Sequence, residues 1–142
     1  MTNETIREHC LGLPFVTEIV QWEEHLLFKV GGKMFAIIAL DGHSCSLKCT
    51  PEKYAELVEM ADVVPASHNM WKYQWITTET LTALPDREFR ALLSASYEIV
   101  RAGLPKKIRA ELDAGRSPVI APWVSKKKGR TKKPPTVPRT ST

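Results

Sequence analysis

"LLFKVGGKMFAII", Leu26 to Ile38, brackets a Gly31-Gly32 pair between two apolar runs and sets Lys29 and Lys33 beside it. Gly-Gly tolerates the positive φ of a two-residue hairpin turn, so the stretch reads as two antiparallel strands with Gly31 and Gly32 as the structural turn. Val30 then pairs with Lys33, Phe28 with Phe35 and Leu26 with Ile37. Alternation puts Leu26, Phe28, Val30, Lys33, Phe35 and Ile37 on one face, and His25, Leu27, Lys29, Met34, Ala36 and Ile38 on the other. The two lysines point to opposite faces and form no single patch by themselves. They are either the wet ends of an ordinary hairpin or the basic tips of a nucleic-acid-binding element.

Working outward, "FVTEIVQW" reads as a strand that turns back at Glu23-Glu24. Carried backwards, the register sets Trp22 against His25, Val20 against Leu27 and Glu18 against Lys29. The last is an expected cross-strand ion pair, worth a few tenths to about 1 kcal/mol. Asp41-Gly42 leads into a fourth run, "SCSLKC", and Lys48 falls on the Lys33 face with Ser44 and Ser46. Both faces of the central strands are apolar near the middle. One must be core and the other partly covered, and the pattern does not choose between them.

The flanks supply helices. Residues 3–11 form a short one, with Asn3 as N-cap and Gly12 and Pro14 as the stop. Thr50 caps a second that starts at Pro51 and runs through "EKYAELVEMA". After a fifth strand in "YQWITTE", the clearest helix follows Pro85, with Phe89, Leu92, Leu93, Ser96, Tyr97 and Val100 at helical spacing. "KKIRAEL" adds a turn or two. The expected fold is α+β: an antiparallel meander with helices packed on one face. The expected division is a domain over 1–113 and a basic Pro/Lys-rich tail over 114–142, disordered from about Ser117 on compositional grounds.

Charge is distributed unevenly. Residues 1–100 carry 8 Lys/Arg against 14 Asp/Glu, a balance of −6, and residues 101–142 carry 12 against 2, a balance of +10. Any case for nucleic acid has therefore to be made segment by segment. No run approaches the roughly 20 apolar residues that cross a membrane, so no membrane partner is expected. The N-terminus has neither the basic head nor the apolar run of a signal peptide. Cys10, Cys45 and Cys49 are an odd set without repeated spacing, which suits a reduced cytoplasm.

"FKVGGKMFAII", "SLKCTPEKYAEL", "PASHNMWKYQWITTE" and "LPDREFRALLSASYEIV" together resemble the MmcQ/YjbR family, over about residues 3–105 and in the expected order. The resemblance implies a small bacterial protein with the CyaY-like α+β fold and a DNA-binding double-wing motif. It implies roles for Lys29, Gly31, Gly32, Lys33 and Phe35 in the first wing, for Lys48 and Pro51 before the middle helix, and for Trp75 after His68. Between His68 and Trp75 the only cation is Lys72, fewer than the family pattern leads one to expect in a second wing.

No catalytic set stands out, and the protein is not expected to be an enzyme. His43, Cys45 and Cys49 share a strand face, but Cys45 and Cys49 lie about 13 Å apart at ~3.3 Å per residue. Zinc–ligand bonds near 2.3 Å cannot span that, so buried thiols are the better reading, and neither metal nor cofactor is expected. Trp71, Tyr73 and Trp75 alternate and either stack on bases or close the sheet against a helix. In the tail, Lys126, Lys127, Lys128, Arg130, Lys132 and Lys133 are six cations in eight residues, suited to a polyanion or to solubility alone. The expected function is weak, largely sequence-independent DNA binding through Lys29, Lys33, Lys48, Lys72 and the tail. The alternative is a protein-interaction module using a half-apolar sheet face.

Overall fold

A computed structural model of the chain describes residues 1–21 and 23–116. Trp22 and the tail from 117 onward lie outside the described residues, as do the register, disorder and DNA contacts expected of them. The elements are α1 (Asn3–Leu11), β1 (Val16–Gln21), β2 (His25–Val30), β3 (Lys33–Ala39), β4 (Cys45–Lys48), α2 (Pro51–Leu57), β5 (Val63–Pro65), a 3-10 turn (Met70–Tyr73), β6 (Trp75–Thr78), α3 (Asp86–Ala102) and α4 (Lys106–Asp113). The class is α+β, as the sequence pattern predicts. The strands form one antiparallel sheet in the order β1-β2-β3-β4-β6-β5. The first four are a meander. The chain then crosses over through α2 to lay β5 at the far edge, and β6 returns between β4 and β5.

The hairpin forms at Gly31-Gly32, with φ values of 59° and 84° and Val30 opposite Lys33. Its register departs from simple alternation. Lys29 pairs with Met34 and Phe28 with Ala36, so Phe35 is an extra, bulged residue on β3. Such a bulge moves every later residue to the opposite face. Ala36 and Ile38, not Ile37, therefore join Phe28 and Leu26 in the core. The bulge is held from a distance. The Ser96 hydroxyl of α3 donates to the Phe35 carbonyl at 2.6 Å and accepts the Lys48 amide at 3.0 Å, and the Phe35 ring meets Tyr97 edge-on at 5.5 Å.

The β1–β2 register also shifts by one, with Gln21 opposite His25, Glu18 opposite Phe28 and Thr17 opposite Lys29. The expected Glu18–Lys29 pair does not form. Glu18 instead receives a two-pronged contact from Arg7 of α1, at 2.6 and 2.7 Å. At the start of α1 it is Thr2, not Asn3, that caps the helix, while Asn3 donates to the Ala39 carbonyl.

These registers settle which face is core. Ile6 and Cys10 of α1 and Phe89, Leu93 and Tyr97 of α3 pack on Leu26, Phe28, Val30, Phe35, Ala36, Ile38 and Leu47. The opposite face carries Leu27, Lys29, Met34, Ile37, Ser46 and Lys48, and the 3-10 turn borders it, with Met70 lining the same groove as Met34 and Ile37. Burying side chains such as Phe28 and Phe35 contributes about 1.5–3 kcal/mol each. Among the described residues, no helix is long and apolar enough to cross a membrane.

Candidate nucleic-acid interface

The hairpin turn, the start of β3, the end of β4 and the entry to β6 all lie at one end of the sheet, because β4 runs antiparallel to both β3 and β6. That end gathers Lys29, Lys33, Lys48 and Lys72. The bulge also corrects which of them share a face. Lys48 follows the core residue Leu47 and Lys29 follows the core residue Phe28, so Lys29, and not Lys33, shares the open face with Ser46 and Lys48. Two strand spacings separate Lys29 from Lys48, about 10 Å across the sheet.

Sequence reasoning missed a second basic element here. Leu104 and Ile108 pack against Gly31, so closely that a Cβ on that glycine would lie 2.5 Å from a Leu104 methyl. This seats α4 beside the hairpin tip and brings the exposed Lys106 and Lys107 to the same end of the molecule. The signal was present as "KK" opening "KKIRAEL", but only the Gly31 packing locates it. Among the described residues, none of Lys29, Lys33, Lys48, Lys72, Lys106 and Lys107 forms a salt bridge.

The opposite end of the sheet is acidic. Glu23 and Glu24 occupy the β1–β2 turn, Asp41 the β3–β4 turn, Asp62 the approach to β5 and Glu79 the exit of β6. Backbone bonds from Leu40 to Glu24 and from Glu79 to Asp62 tie these turns in pairs. The sheet is thus polarised from an acidic to a basic end. The acidic balance of residues 1–100 is therefore not spread evenly along the sheet.

The lysines are not equally available. Burial holds Lys29 below the usual ammonium range, and the neighbouring Lys33 charge lowers it further. Lys48 is also lowered by burial, and its Nζ donates to the Tyr73 carbonyl at 2.7 Å while lying 5.7 Å from the Tyr73 ring centroid. Lys72 Nζ lies 5.8 Å from the Trp71 ring centroid. Lys33 is exposed. The expected Trp71–Tyr73–Trp75 strand row does not form. Trp71 and Tyr73 sit in the 3-10 turn, 46% and 64% exposed, whereas Trp75 opens β6 opposite Lys48 and is only 6% exposed.

The open face carries a groove of about 550 Å³, lined by His25, Met34, Ile37, Ser46, His68, Met70 and neighbours. Cys10, Cys45 and Cys49 are buried and free. Burial pushes the Cys10 thiol up to about 12 and Cys49 up to about 11, and raises Cys45 as well. Thiols so disfavoured as thiolates are poor nucleophiles and ligands. No metal-binding cluster occurs among the described residues.

Comparison with known proteins supplies relatives. The YjbR family model matches residues 11–99. The crystal structure of a DUF419-domain protein from Deinococcus radiodurans aligns with a TM-score of 0.70 and 32% identity, covering 79% of this chain and 88% of its own. A protein from Pseudomonas syringae aligns with a TM-score of 0.56 and 20% identity, covering 70% of this chain and 98% of its own, a likeness of fold alone. No curated protein matches the chain.

Proposed function

The chain belongs to the YjbR family, and from that premise we propose that it is a non-enzymatic protein that associates with DNA weakly and with little sequence preference. The observation that carries this reading is the segregation of charge along the sheet. Lys29, Lys33, Lys48 and Lys72 meet at one end, Lys106 and Lys107 of α4 stand beside them, and the carboxylates of the turns are held at the other end. A polyanion approaching the basic end meets cations that have no salt-bridge partner among the described residues, and the acidic end orients the domain away from it. The basic tail follows α4 in the chain, and the seven Lys/Arg of residues 117–142 supply much of the affinity through release of phosphate counterions. Contacts of this kind position a protein on DNA but carry no sequence information.

A fluorescently labelled duplex tests the domain's share. In the full chain, replacing Lys33, Lys106 and Lys107 by Gln should weaken binding at low salt. It should also flatten the log–log salt dependence by about 0.9 for each phosphate no longer neutralised. Unchanged affinity and slope would mean that this end of the sheet does not face DNA.

A second reading is favoured by the open-face groove, whose Met34, Ile37 and Met70 present apolar and adaptable surface to a protein segment. On that reading the triple variant leaves partner capture untouched, whereas a polar residue in place of Ile37 abolishes it.

A further inference from the structure

We propose, resting on the DNA reading above, that the 3-10 turn Met70–Tyr73 is a stacking platform for unpaired bases, which makes single-stranded nucleic acid the preferred ligand of the basic end. The turn presents two aromatic rings in an unusual way. Trp71 and Tyr73 are exposed while Trp75, two residues on, is buried in the sheet. Left-handed backbone at His68, Asn69 and Gln74 brackets the turn, with φ values of 59°, 66° and 64° at residues other than glycine. Such conformations persist only where their surroundings hold them. Here the bonds from Met70 to Ser67, from Lys72 to Asn69 and from Gln74 to Trp71 do so, together with the Lys48 side chain on the Tyr73 carbonyl.

The rings are pre-set for recognition and each is accompanied by a cation. Lys72 lies over Trp71 and Lys48 over Tyr73, at 5.8 and 5.7 Å from the ring centroids. An ammonium beside one face of a ring leaves the other face for a base and supplies charge for the phosphate beside that base. Lys48 and Lys29 continue the positive track across the open face toward the hairpin. A paired and stacked base offers no free face to such a ring, whereas an unpaired base offers both. The geometry therefore discriminates between strand states and not between sequences.

The test uses the full chain with labelled oligo-dT and a labelled duplex of equal nucleotide count, at a salt concentration low enough for duplex binding to be measured. The expected result is tighter binding of the single strand, by about fivefold or more. Trp71→Ala and Tyr73→Ala should each lose about fivefold or more for the single strand and leave the duplex unchanged, with Trp71→Phe retaining most of the affinity. Both rings are exposed, so the melts of these variants should match the parent's. Equal affinity for the two ligands, or an equal loss on both in the alanine variants, would overturn the platform and leave the DNA reading standing. Binding of neither ligand would remove both.

Discussion

Gly31 shows how one residue serves two constraints. Its φ of 59° suits a two-residue hairpin turn, and its missing Cβ lets Leu104 and Ile108 close on the turn. The first constraint was legible in the sequence, because Gly-Gly between apolar runs has a short-range meaning. The second was not, because Leu104 lies far along the chain, beyond α3. Gly32, at φ 84°, carries the backbone constraint. Gly31→Val should therefore destabilise by about 2–5 kcal/mol, combining left-handed strain with overpacking, and Gly32→Val by about 1–2 kcal/mol. Urea denaturation measures both, and equal losses would contradict the packing role of Gly31.

At the scale of elements, long-period signals were read well and short ones poorly. The stripe Phe89, Leu92, Leu93, Ser96, Tyr97 became the buried face of α3, and Thr50 with Pro51 opened α2. β5 spans only Val63–Pro65, too short to show a period. The alternation of Trp71, Tyr73 and Trp75 suggested a strand where a 3-10 turn forms, since a spacing of two arises easily by chance among three residues. The bulge at Phe35 escaped because it is stabilised by α3 and not by its neighbours. Ser96 is the tie: its hydroxyl satisfies the Phe35 carbonyl and the Lys48 amide while fully buried. Ser96→Ala would leave both groups unpaired and should cost about 1–3 kcal/mol, whereas an ordinary buried Ser in an apolar stripe would lose little. A thermal melt distinguishes these outcomes.

On the scale of the whole molecule, the candidate site was half legible. Lys29, Lys33, Lys48 and Lys72 could be named from the sequence, but hairpin alternation alone separated the first two and placed Lys48 with the wrong one. Sheet order and the bulge bring them to one end, and α4 adds Lys106 and Lys107 through its packing on Gly31. Charge along the chain hid the same polarity, because acidic and basic turns alternate in sequence and separate only when the strands stack. The tail lies outside the described residues, and its composition alone carries the expectation placed on it. Removing 117–142 takes away 7 Lys/Arg and leaves 13 against 16 Asp/Glu, a net charge of −3. The core residues, from Ile6 to Leu112, all remain.

Anisotropy of a labelled duplex titrated with the full chain and with residues 1–116, over a range of salt, separates the tail's share of DNA binding from the domain's. A cooperative melt of the fragment serves as its control. The full chain should lose affinity steeply as salt rises, with a log–log slope of about −4 to −5 if the tail and the basic end together neutralise about five phosphates. The fragment should bind more weakly, with a slope of about −1 to −2, and neither should prefer one sequence. A folded fragment that binds as tightly as the full chain and prefers one sequence, or a full chain with no affinity at low salt, would contradict the account.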